Sequence, residues 1–378
     1  MKTIRFLVLH LAYGGIEKAV ISQANLFAEK YPVEIISVYR MPNSPAYPLD
    51  PRIKVRYLLK DVPNRQEWHE ALRARRPLAL LRESFRALRT LWGKKLAVRR
   101  TVRSIHDGIL ITTRNEDNVV LSRLGDPKVW KIGQVHEDHC FKRKYLRAFR
   151  RGTSGLDVLV LLTPGLVEEV RQWVPADAKT RLVTVPNFLE RFPAPFSLDE
   201  KEKRILAVGR LDYEKGFDRL LRCFARISPL RPDWTVRIVG DGEEQALLER
   251  LIAELGLEGK AVLTGRLPPS GVEEEMKKAS VYAMTSTNEG VAFVLLEALS
   301  CALPIVAYDV RIGPAAVIRQ GVDGYLVPDG DEDALVEKLL ALMDDQTLRR
   351  TMAEAALRHA GEYSREKVAG LWEMVLEP

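Results

Sequence analysis

Short apolar runs alternate with longer amphipathic stretches along the whole chain, and this alternation predicts strands that are followed by helices. The first apolar run, Ile4 to Leu9, leads through a Gly-Gly turn into a helical pattern at 16–30. Further runs predict strands at 33–39, 55–59, 109–113, 130–135, 158–162 and 182–185. The pattern then restarts, with strands predicted at 204–209, 235–239, 261–264, 281–284, 305–307 and 325–327. Strands that alternate with helices are typical of parallel α/β sheets.

Two halves with the same plan predict two domains, because 378 residues exceed what one ordinary core holds. The Pro-rich stretch from Pro186 to Pro195 indicates a linker and places the domains at 1–188 and 189–363. No apolar run reaches the roughly 18 residues that span a bilayer, and the first run is too short for a signal peptide. Three isolated cysteines predict no disulfide framework and favour a reducing compartment.

The stretch from Ser286 to Ala307 combines a loop, a short helix and a buried strand. Glu289 lies before the helix, and Glu297 lies inside it, eight residues further on. The helix N-terminus presents free backbone N–H groups that suit a phosphate. A phosphate flanked by two carboxylates indicates a nucleotide sugar, with one carboxylate for sugar hydroxyls and the other for ribose hydroxyls. The alternative is an ordinary loop acid followed by a solvated helix residue.

Two cations, Arg210 and Lys215, lie on one loop between the strand at 204–209 and the helix that begins at Phe217. Arg offers a fork of donors to phosphate oxygens, whereas Lys offers a point charge. The pair at a helix start therefore predicts diphosphate binding. The alternative is a solvated loop.

The first half offers two weaker candidates. Gly14 and Gly15 follow the first strand, where they allow a phosphate or an acceptor to approach the backbone, or form an ordinary tight turn. His136 directly follows the strand at 130–135, and the carboxyl ends of strands in open α/β sheets face the ligand crevice. A satisfied structural histidine is the alternative, and His139 is a weaker candidate. No third ligand accompanies this pair at metal-like spacing, so we expect no zinc site.

The motif E-G-x-x-x-x-x-x-E at 289–297, followed by A-L-x-x-x-L-P-I-V-A, resembles the signature of the retaining glycosyltransferases of family 4, which have the GT-B fold. The motif G-R-L-x-x-x-K-G at 209–216 matches the same family at every fixed position. The resemblance covers nearly the whole chain and is greatest to bacterial enzymes that build capsule, exopolysaccharide or lipopolysaccharide. One departure is visible: the family usually has Phe-Gly where this chain has Val291 and Ala292.

This resemblance implies an α/β GT-B fold, with two Rossmann-like domains that face a central cleft and a helix at 364–378 that crosses back onto the first domain. It implies catalytic roles for His136, Glu289, Arg210 and Lys215. It implies donor contacts from Gly14, Gly15, Arg210, Lys215, Gly240, Arg266, Glu289, Gly290, Val291, Ala292 and Glu297. In the family, the G-G-x-E element approaches a phosphate or the acceptor, the histidine contacts the donor sugar near the reacting carbon, and the loop at Arg266 approaches the base.

The implied activity is retaining, metal-independent transfer of a hexose from a nucleotide-diphosphate sugar to a glycan or a polyprenyl-phosphate-linked acceptor. A UDP-sugar is the first expectation for the donor and GDP-mannose the second, with no other cofactor. Apart from Asp329-Gly330-Asp331 near the end of the second half, no Asp-x-Asp follows a predicted strand, so the leaving diphosphate needs cations of the protein rather than a metal. Alternatives are a nucleotide-sugar epimerase, a phosphorylase, an inactive scaffold or a basic nucleic-acid-binding protein. The last lacks aromatics between its basic residues, so no nucleic acid is expected.

The net charge of +7 is concentrated in one segment. Lys60 to Gly108 holds 13 Lys or Arg against five acids, a net charge of +8, beside apolar residues at helical spacing. This combination predicts binding to an anionic membrane surface, on the inner face of the cytoplasmic membrane for a cytoplasmic enzyme. The alternative is a helix hairpin that packs on the domain and exposes a solvated basic face.

Overall fold

The computed structural model describes residues 2–42, 44–60, 62–136, 143–311 and 313–377. The chain forms two compact units. One unit runs to Val185 and resumes at Leu371, and the other runs from Pro186 to Gly370. From the sequence, we expect the boundary between the domains after residue 188 and the return to the first domain after residue 363.

The first unit contains a seven-stranded sheet in which all neighbouring strands are parallel. Its strands are β1 Ile4–Val8, β2 Val33–Tyr39, β3 Lys54–Leu59, β4 Ile109–Thr112, β5 Trp130–Val135, β6 Val158–Leu161 and β7 Arg181–Thr184. They follow the order β3-β2-β1-β4-β5-β6-β7. The order reverses between β1 and β4, and ligand crevices form at such switch points, outside the carboxyl ends of the strands.

The helices of the first unit are α1 Gly15–Phe27, α2 Arg65–Arg73, α3 Pro77–Arg103, α4 Asn115–Leu124, α5 Arg143–Thr153 and α6 Pro164–Arg171. Thr163 begins α6 as predicted, because its hydroxyl accepts a hydrogen bond from the Leu166 N–H at 3.1 Å. Phe6 of β1 stacks on Phe27 of α1 with ring centroids 5.8 Å apart. The apolar residues that predict α1 therefore form the face of the helix that packs on the sheet.

The second unit contains a six-stranded parallel sheet in the order β10-β9-β8-β11-β12-β13. Its strands are β8 Arg204–Val208, β9 Thr235–Val239, β10 Ala261–Leu263, β11 Val281–Met284, β12 Ile305–Asp309 and β13 Gly324–Pro328. The predicted strands of both units are confirmed, with ends that differ by two residues or fewer. The switch point of this sheet lies between β8 and β11, so the loops after these two strands are neighbours.

The helices of the second unit are α7 Phe217–Ile227, α8 Gln245–Glu254, α9 Pro269–Lys278, α10 Phe293–Ser300, α11 Glu332–Asp344 and α12 Gln346–Ala360. Helix α7 buries Phe217, Leu220, Leu221 and Phe224, which recur at intervals of three and four residues. This face packs into the core of the unit and fixes the start of α7 at the carboxyl edge of the sheet.

The last helix is α13, Arg365–Leu376. Its residues from Leu371 onward belong to the first unit, where Trp372 is almost fully buried and packs edge-on against Phe27 at 5.3 Å between ring centroids. The Trp130 indole N–H donates to the Val375 carbonyl at 3.0 Å. Aromatic packing and a backbone hydrogen bond therefore hold the end of the chain in the first unit.

The long basic region forms two helices, α2 and α3, that are separated by a turn in which Arg75 has a positive φ of 50°. The predicted apolar stripe lies on α3 and is exposed, with each side chain between 54% and 83% accessible. We call this set the α3 stripe: Leu78, Leu81, Phe85, Leu88, Leu91 and Trp92. In the part of the chain that the structure describes, no helix is both long and apolar enough to span a membrane.

Candidate functional site

The loop after β8 carries both predicted cations, and a glycine fixes its position. Gly216 has a positive φ of 59°, and a Cβ at this position would lie 2.3 Å from the Thr285 carbonyl oxygen. Only glycine allows this approach between the β8 and β11 loops. Thr285 adds a hydrogen bond from its hydroxyl to the Gly216 carbonyl at 2.8 Å. Lys215 is thereby held next to the loop that carries Glu289.

Lys215 and Glu289 form an ion pair, with 2.5 Å between Nζ and Oε2. The side chains are 25% and 11% exposed, so solvent screens this pair less than a surface pair. An ammonium group has three donor hydrogens, so Lys215 can bind Glu289 and a phosphate oxygen together. The structure thus brings together a predicted cation and a predicted carboxylate, although 74 residues separate them in sequence.

Arg210 lies at the open end of the same loop. Its side chain is 73% exposed, and its Nε donates to Asp212 Oδ2 at 2.5 Å. Asp212 itself is mostly buried, so this contact fixes the orientation of the guanidinium. This contact uses one edge of the guanidinium, and the two terminal nitrogens can serve a bidentate acceptor such as a phosphate.

Gly290, Val291 and Ala292 lead into α10, the predicted phosphate-binding helix. Ala292 is the N-cap residue, and its own side chain makes no capping hydrogen bond to the first turn. Asn187 stabilises this loop, because its amide donates to the Val291 carbonyl at 2.9 Å. Gly313 also packs closely, since a Cβ there would lie 2.2 Å from the Gly290 carbonyl oxygen.

Glu297 lies in α10 and is half-buried. Its carboxylate and that of Glu289 both raise the pKa of Tyr282, although burial is the largest cause and pushes that pKa far above its usual range. Tyr282 lies on β11, and its hydroxyl donates to the Val208 carbonyl at 3.3 Å. Both predicted carboxylates therefore act electrostatically on one buried tyrosine of β11.

Gly240 is required by backbone packing. Its φ is 151°, and a Cβ would lie only 1.8 Å from the Gly209 carbonyl oxygen. The Gly240 N–H donates to the Gly265 carbonyl at 3.0 Å, which joins the loops after β8, β9 and β10. Arg266 follows directly and is exposed. Apart from Glu297 in α10, the predicted residues of the second unit thus lie on loops at the carboxyl edge of one sheet.

In the first unit, His136 follows β5, and its Nε2 lies 2.6 Å from Gln134 Oε1. The Gln134 amide donates in turn to Gln23 Oε1 at 2.7 Å. Since Gln134 presents its oxygen to the ring, this network assigns the proton to Nε2 and leaves Nδ1 as an acceptor. Burial of the ring lowers the pKa of His136 to about 4, so the ring is neutral at pH 7. His139 lies outside the described residues.

A polar pocket of about 270 Å³ surrounds this histidine within the first unit. It is lined by Ile16, Thr113, Arg114, Asn115, Glu116, Gln134, Val135, His136, Tyr145 and Ala148. Thr113 is buried, and its hydroxyl has no hydrogen-bond partner among the described residues. The sequence analysis missed Thr113 and Arg114, although their position directly after β4 was a usable signal.

In the Gly-Gly turn, the two glycines have different surroundings. Glu17 folds back over Gly14, so that a Cβ there would lie 2.0 Å from the Glu17 carboxylate. Glu17 is buried and also lies 3.3 Å from His10 Nδ1. Gly15, in contrast, has open space where a Cβ would be. The protein's own carboxylate therefore accounts for the small residue at Gly14, and only Gly15 leaves room for a ligand.

Within the described ranges, no group of three or more His, Cys, Asp or Glu side chains is arranged to hold a metal ion. The chemistry available at the second-unit edge is therefore that of two cations, two carboxylates and a helix N-terminus. These groups can bind a diphosphate and hydroxyl groups next to it.

A parallel α/β unit with this edge belongs to the class of nucleotide-binding folds. Residues 190–359 match the family model described as Glycosyl transferases group 1. The family resemblance is confirmed at this level. The matched segment contains Arg210, Lys215, Glu289 and Glu297.

Two curated relatives match this chain over different shares of their own length. An exopolysaccharide phosphotransferase from Streptomyces coelicolor is 32% identical over 95% of the chain, which spans 39% of that protein. The amylovoran biosynthesis glycosyltransferase AmsD from Erwinia amylovora is 37% identical over 50% of the chain and 52% of its own length. The chain therefore spans between about two fifths and half of these two proteins.

Solved structures resemble the whole chain. TarM from S. aureus, in a complex with Fondaparinux, alpha-GlcNAc-glycerol and UDP, aligns with a TM-score of 0.77 over 100% of both chains. The sequence identity is 14%, so this likeness concerns the fold alone. The predicted α/β, GT-B fold class is confirmed.

Proposed function

We propose that this protein is a glycosyltransferase that takes a sugar from a nucleotide-diphosphate donor. The observation that carries the proposal is the Lys215–Glu289 ion pair beside the uncapped start of α10. The cation and the helix N-terminus suit a diphosphate, while the carboxylate next to them suits the hydroxyls of the attached sugar. The group 1 family domain supports the same activity.

The donor is a UDP-sugar in this proposal, with GDP-mannose as the second choice. Glu297 holds the ribose hydroxyls, Glu289 holds the sugar, and the loop at Arg266 approaches the base. The bound UDP in the TarM structure supports the choice of nucleotide. The acceptor is a glycan or a polyprenyl-phosphate-linked sugar of bacterial surface polysaccharide, which the name of the Erwinia relative supports.

Transfer proceeds with retention and without a metal in this proposal. The sequence offers no obvious carboxylate nucleophile, so the acceptor attacks on the face that the diphosphate leaves, and the leaving phosphate takes its proton. Lys215, Arg210 and the α10 N-terminus stabilise the developing negative charge. His136, neutral and fixed by Gln134, contacts the donor sugar through Nδ1.

Thermal unfolding tests the nucleotide and the metal together. UDP at 100 times its Kd stabilises the folded protein by about 2.7 kcal/mol, which raises the melting temperature by roughly 5 to 10 °C. We expect a smaller shift with GDP or ADP at equal concentration, and a smaller one with uridine, which lacks the diphosphate. The UDP shift and transfer should both persist in EDTA. Equal, negligible shifts with all nucleotides would overturn the donor site, and loss on chelation with recovery in Mg²⁺ would overturn metal independence.

The α3 stripe supports a further part of the proposal, which is reversible binding to an anionic membrane surface. The structure leaves the stripe exposed, whereas a helix that merely packed on the domain would bury it. Exposed cations such as Lys95, Arg99 and Arg103 lie on the same helix. Anionic headgroups attract each nearby cation by about 1 kcal/mol, and apolar side chains at the interface add to that. The enzyme thus works at the cytoplasmic face of the membrane.

Sedimentation with vesicles tests this binding. We expect pelleting with anionic vesicles at low salt and much less with neutral vesicles, because the Debye length shrinks as salt rises. Reversing Arg89, Lys95 and Arg99 to Glu should lower binding at least about tenfold. Arg82 and Arg86 stay in place, since they pair with buried Glu83.

The matched control carries the same charge change in the second unit, as Arg222→Glu, Arg250→Glu and Lys278→Glu, all at exposed positions. It should bind anionic vesicles about as well as the native protein. Equal pelleting of both triple variants would show that only net charge matters. Negligible pelleting of the native protein would leave α3 as a solvated basic helix.

A further inference from the structure

A second cavity of about 270 Å³ lies in the first unit, between the end of β2 and the helices α2 and α3. It is lined by Tyr39, Pro63, Asn64, Trp68, Ala87, Thr90 and Leu91. This volume is just below the range of complete small-molecule sites, so the cavity has room for part of a ligand.

The protein itself satisfies two polar groups in the cavity wall. The Asn64 amide donates to the Glu83 carbonyl at 2.9 Å and to the Glu83 carboxylate at 2.7 Å. The Trp68 indole N–H donates to Ser84 Oγ at 3.0 Å. The remaining wall of the cavity consists mainly of carbon atoms, and Pro63, Ala87 and Leu91 contribute to it. An occupant must therefore be mostly apolar.

Thr90 is the exception in this wall. It is buried, and its hydroxyl has no hydrogen-bond partner among the described residues. A plain hydrocarbon would leave this hydroxyl unsatisfied, whereas the oxygen of a chain that ends in an ester can accept a hydrogen bond from it. The wall thus favours an apolar chain with an oxygen at one end.

The entrance to the cavity combines apolar and basic character. Leu91 lines the cavity and is also 54% exposed as part of the α3 stripe. Its neighbours in the stripe, Leu88 and Trp92, are exposed as well. Cations of the same helix, including Arg89 and Lys95, are exposed on this surface. An anionic amphiphile complements both properties.

The cavity and the polar pocket around His136 both lie in the first unit, and α3 contacts the walls of both. Glu116 lines that polar pocket, and Lys94 of α3 forms an ion pair with its carboxylate. Glu116 also lies close enough to Tyr39 to help raise the pKa of that tyrosine, after the larger effect of burial. An ion pair of α3 thus reaches the wall of the polar pocket.

We propose that this apolar cavity holds the first part of the hydrocarbon chain of a phosphate-linked lipid acceptor, with the phosphoester oxygen at Thr90 and the sugar in the polar pocket. The inference rests on the proposed function and adds a site for the lipid part of the acceptor. The remainder of a long chain stays in the membrane, along the α3 stripe.

Calorimetry with decyl phosphate, used as a monomer, tests the site. We expect the native protein to bind decyl phosphate at least about tenfold more tightly than inorganic phosphate, because the chain enters the cavity. Ala87→Phe fills the cavity and should weaken binding about tenfold or more. The control Ala74→Phe makes the same change at an exposed position after the end of α2 and should stay within about twofold.

Thr90→Val keeps the shape and removes the hydroxyl, so decyl phosphate should bind about three- to tenfold more weakly. Equal affinity of Ala87→Phe and the native protein for decyl phosphate would overturn the proposal. So would decanol that binds as tightly as decyl phosphate, or dihexanoyl phosphatidylglycerol that binds more tightly, since a general lipid site would then explain the cavity.

The UDP-induced rise in melting temperature keeps this test independent of the proposed function. Each variant should retain that rise, which shows that it is folded and that its donor site is intact. If UDP gives no rise but decyl phosphate binds as described, the donor assignment fails while the lipid site stands. If UDP gives the rise but Ala87→Phe has no effect, only the lipid site fails.

Discussion

Lys215→Ala should lower the rate of sugar transfer by about a thousandfold. Removal of one group that stabilises developing charge typically costs 10² to 10³ in kcat. Here the loss is at the upper end, because Lys215 also neutralises Glu289, which is only 11% exposed. Without the ammonium, this carboxylate would repel the leaving diphosphate. Steady-state kinetics with a UDP-sugar donor measures the effect.

Arg210→Ala should have a smaller effect, of about ten- to a hundredfold. Its side chain is 73% exposed and already pairs with Asp212, so solvent and that carboxylate weaken its contribution. The matched control is Lys203→Ala, which removes an exposed cation of the same unit that pairs with Asp233. It should stay within about twofold of the native rate. Near-normal turnover of folded Lys215→Ala would exclude the diphosphate clamp.

The sequence predicts the strands well because the parallel sheet pattern is local. A buried strand such as β11 is apolar throughout, and the helix that follows has its own period. The pairing of Lys215 with Glu289 also follows from position, since both residues lie on loops after strands. The distance between them does not, because it depends on Gly216, which lets the two loops approach.

Other features depend on tertiary contacts that no local pattern encodes. An apolar stripe at helical spacing predicts an amphipathic helix equally well whether the stripe is buried or exposed, so the exposure of the α3 stripe needed the structure. The support of His136 by Gln134 and Gln23 joins residues 111 positions apart. Asn187 was interpreted as linker, yet its amide holds the loop before α10. A buried Asn has no signal of its own in a single sequence.

Glu289→Ala and Glu297→Ala should separate recognition of the sugar from recognition of the nucleotide. Glu297→Ala should weaken binding of UDP by roughly ten- to a hundredfold, because hydrogen bonds from ribose hydroxyls to a carboxylate are worth about 1.5–3 kcal/mol. Glu289→Ala should leave UDP affinity unchanged or slightly higher. It frees the Lys215 ammonium for the diphosphate and removes a negative charge that lies 2.5 Å from that ammonium.

With the complete UDP-sugar, Glu289→Ala should weaken binding too. The native protein should bind the donor more tightly than UDP, and Glu289→Ala should lose this advantage by about tenfold, since the carboxylate no longer accepts the sugar hydroxyls. Calorimetry with UDP and with the UDP-sugar measures both ratios, and Glu258→Ala, an exposed acid of the same unit, serves as the matched control. If Glu289→Ala weakened bare UDP as much as Glu297→Ala did, the carboxylates would share one role. The ion pair of Lys215 with Glu289 would then serve nucleotide binding as a unit, rather than hold the sugar beside the phosphate.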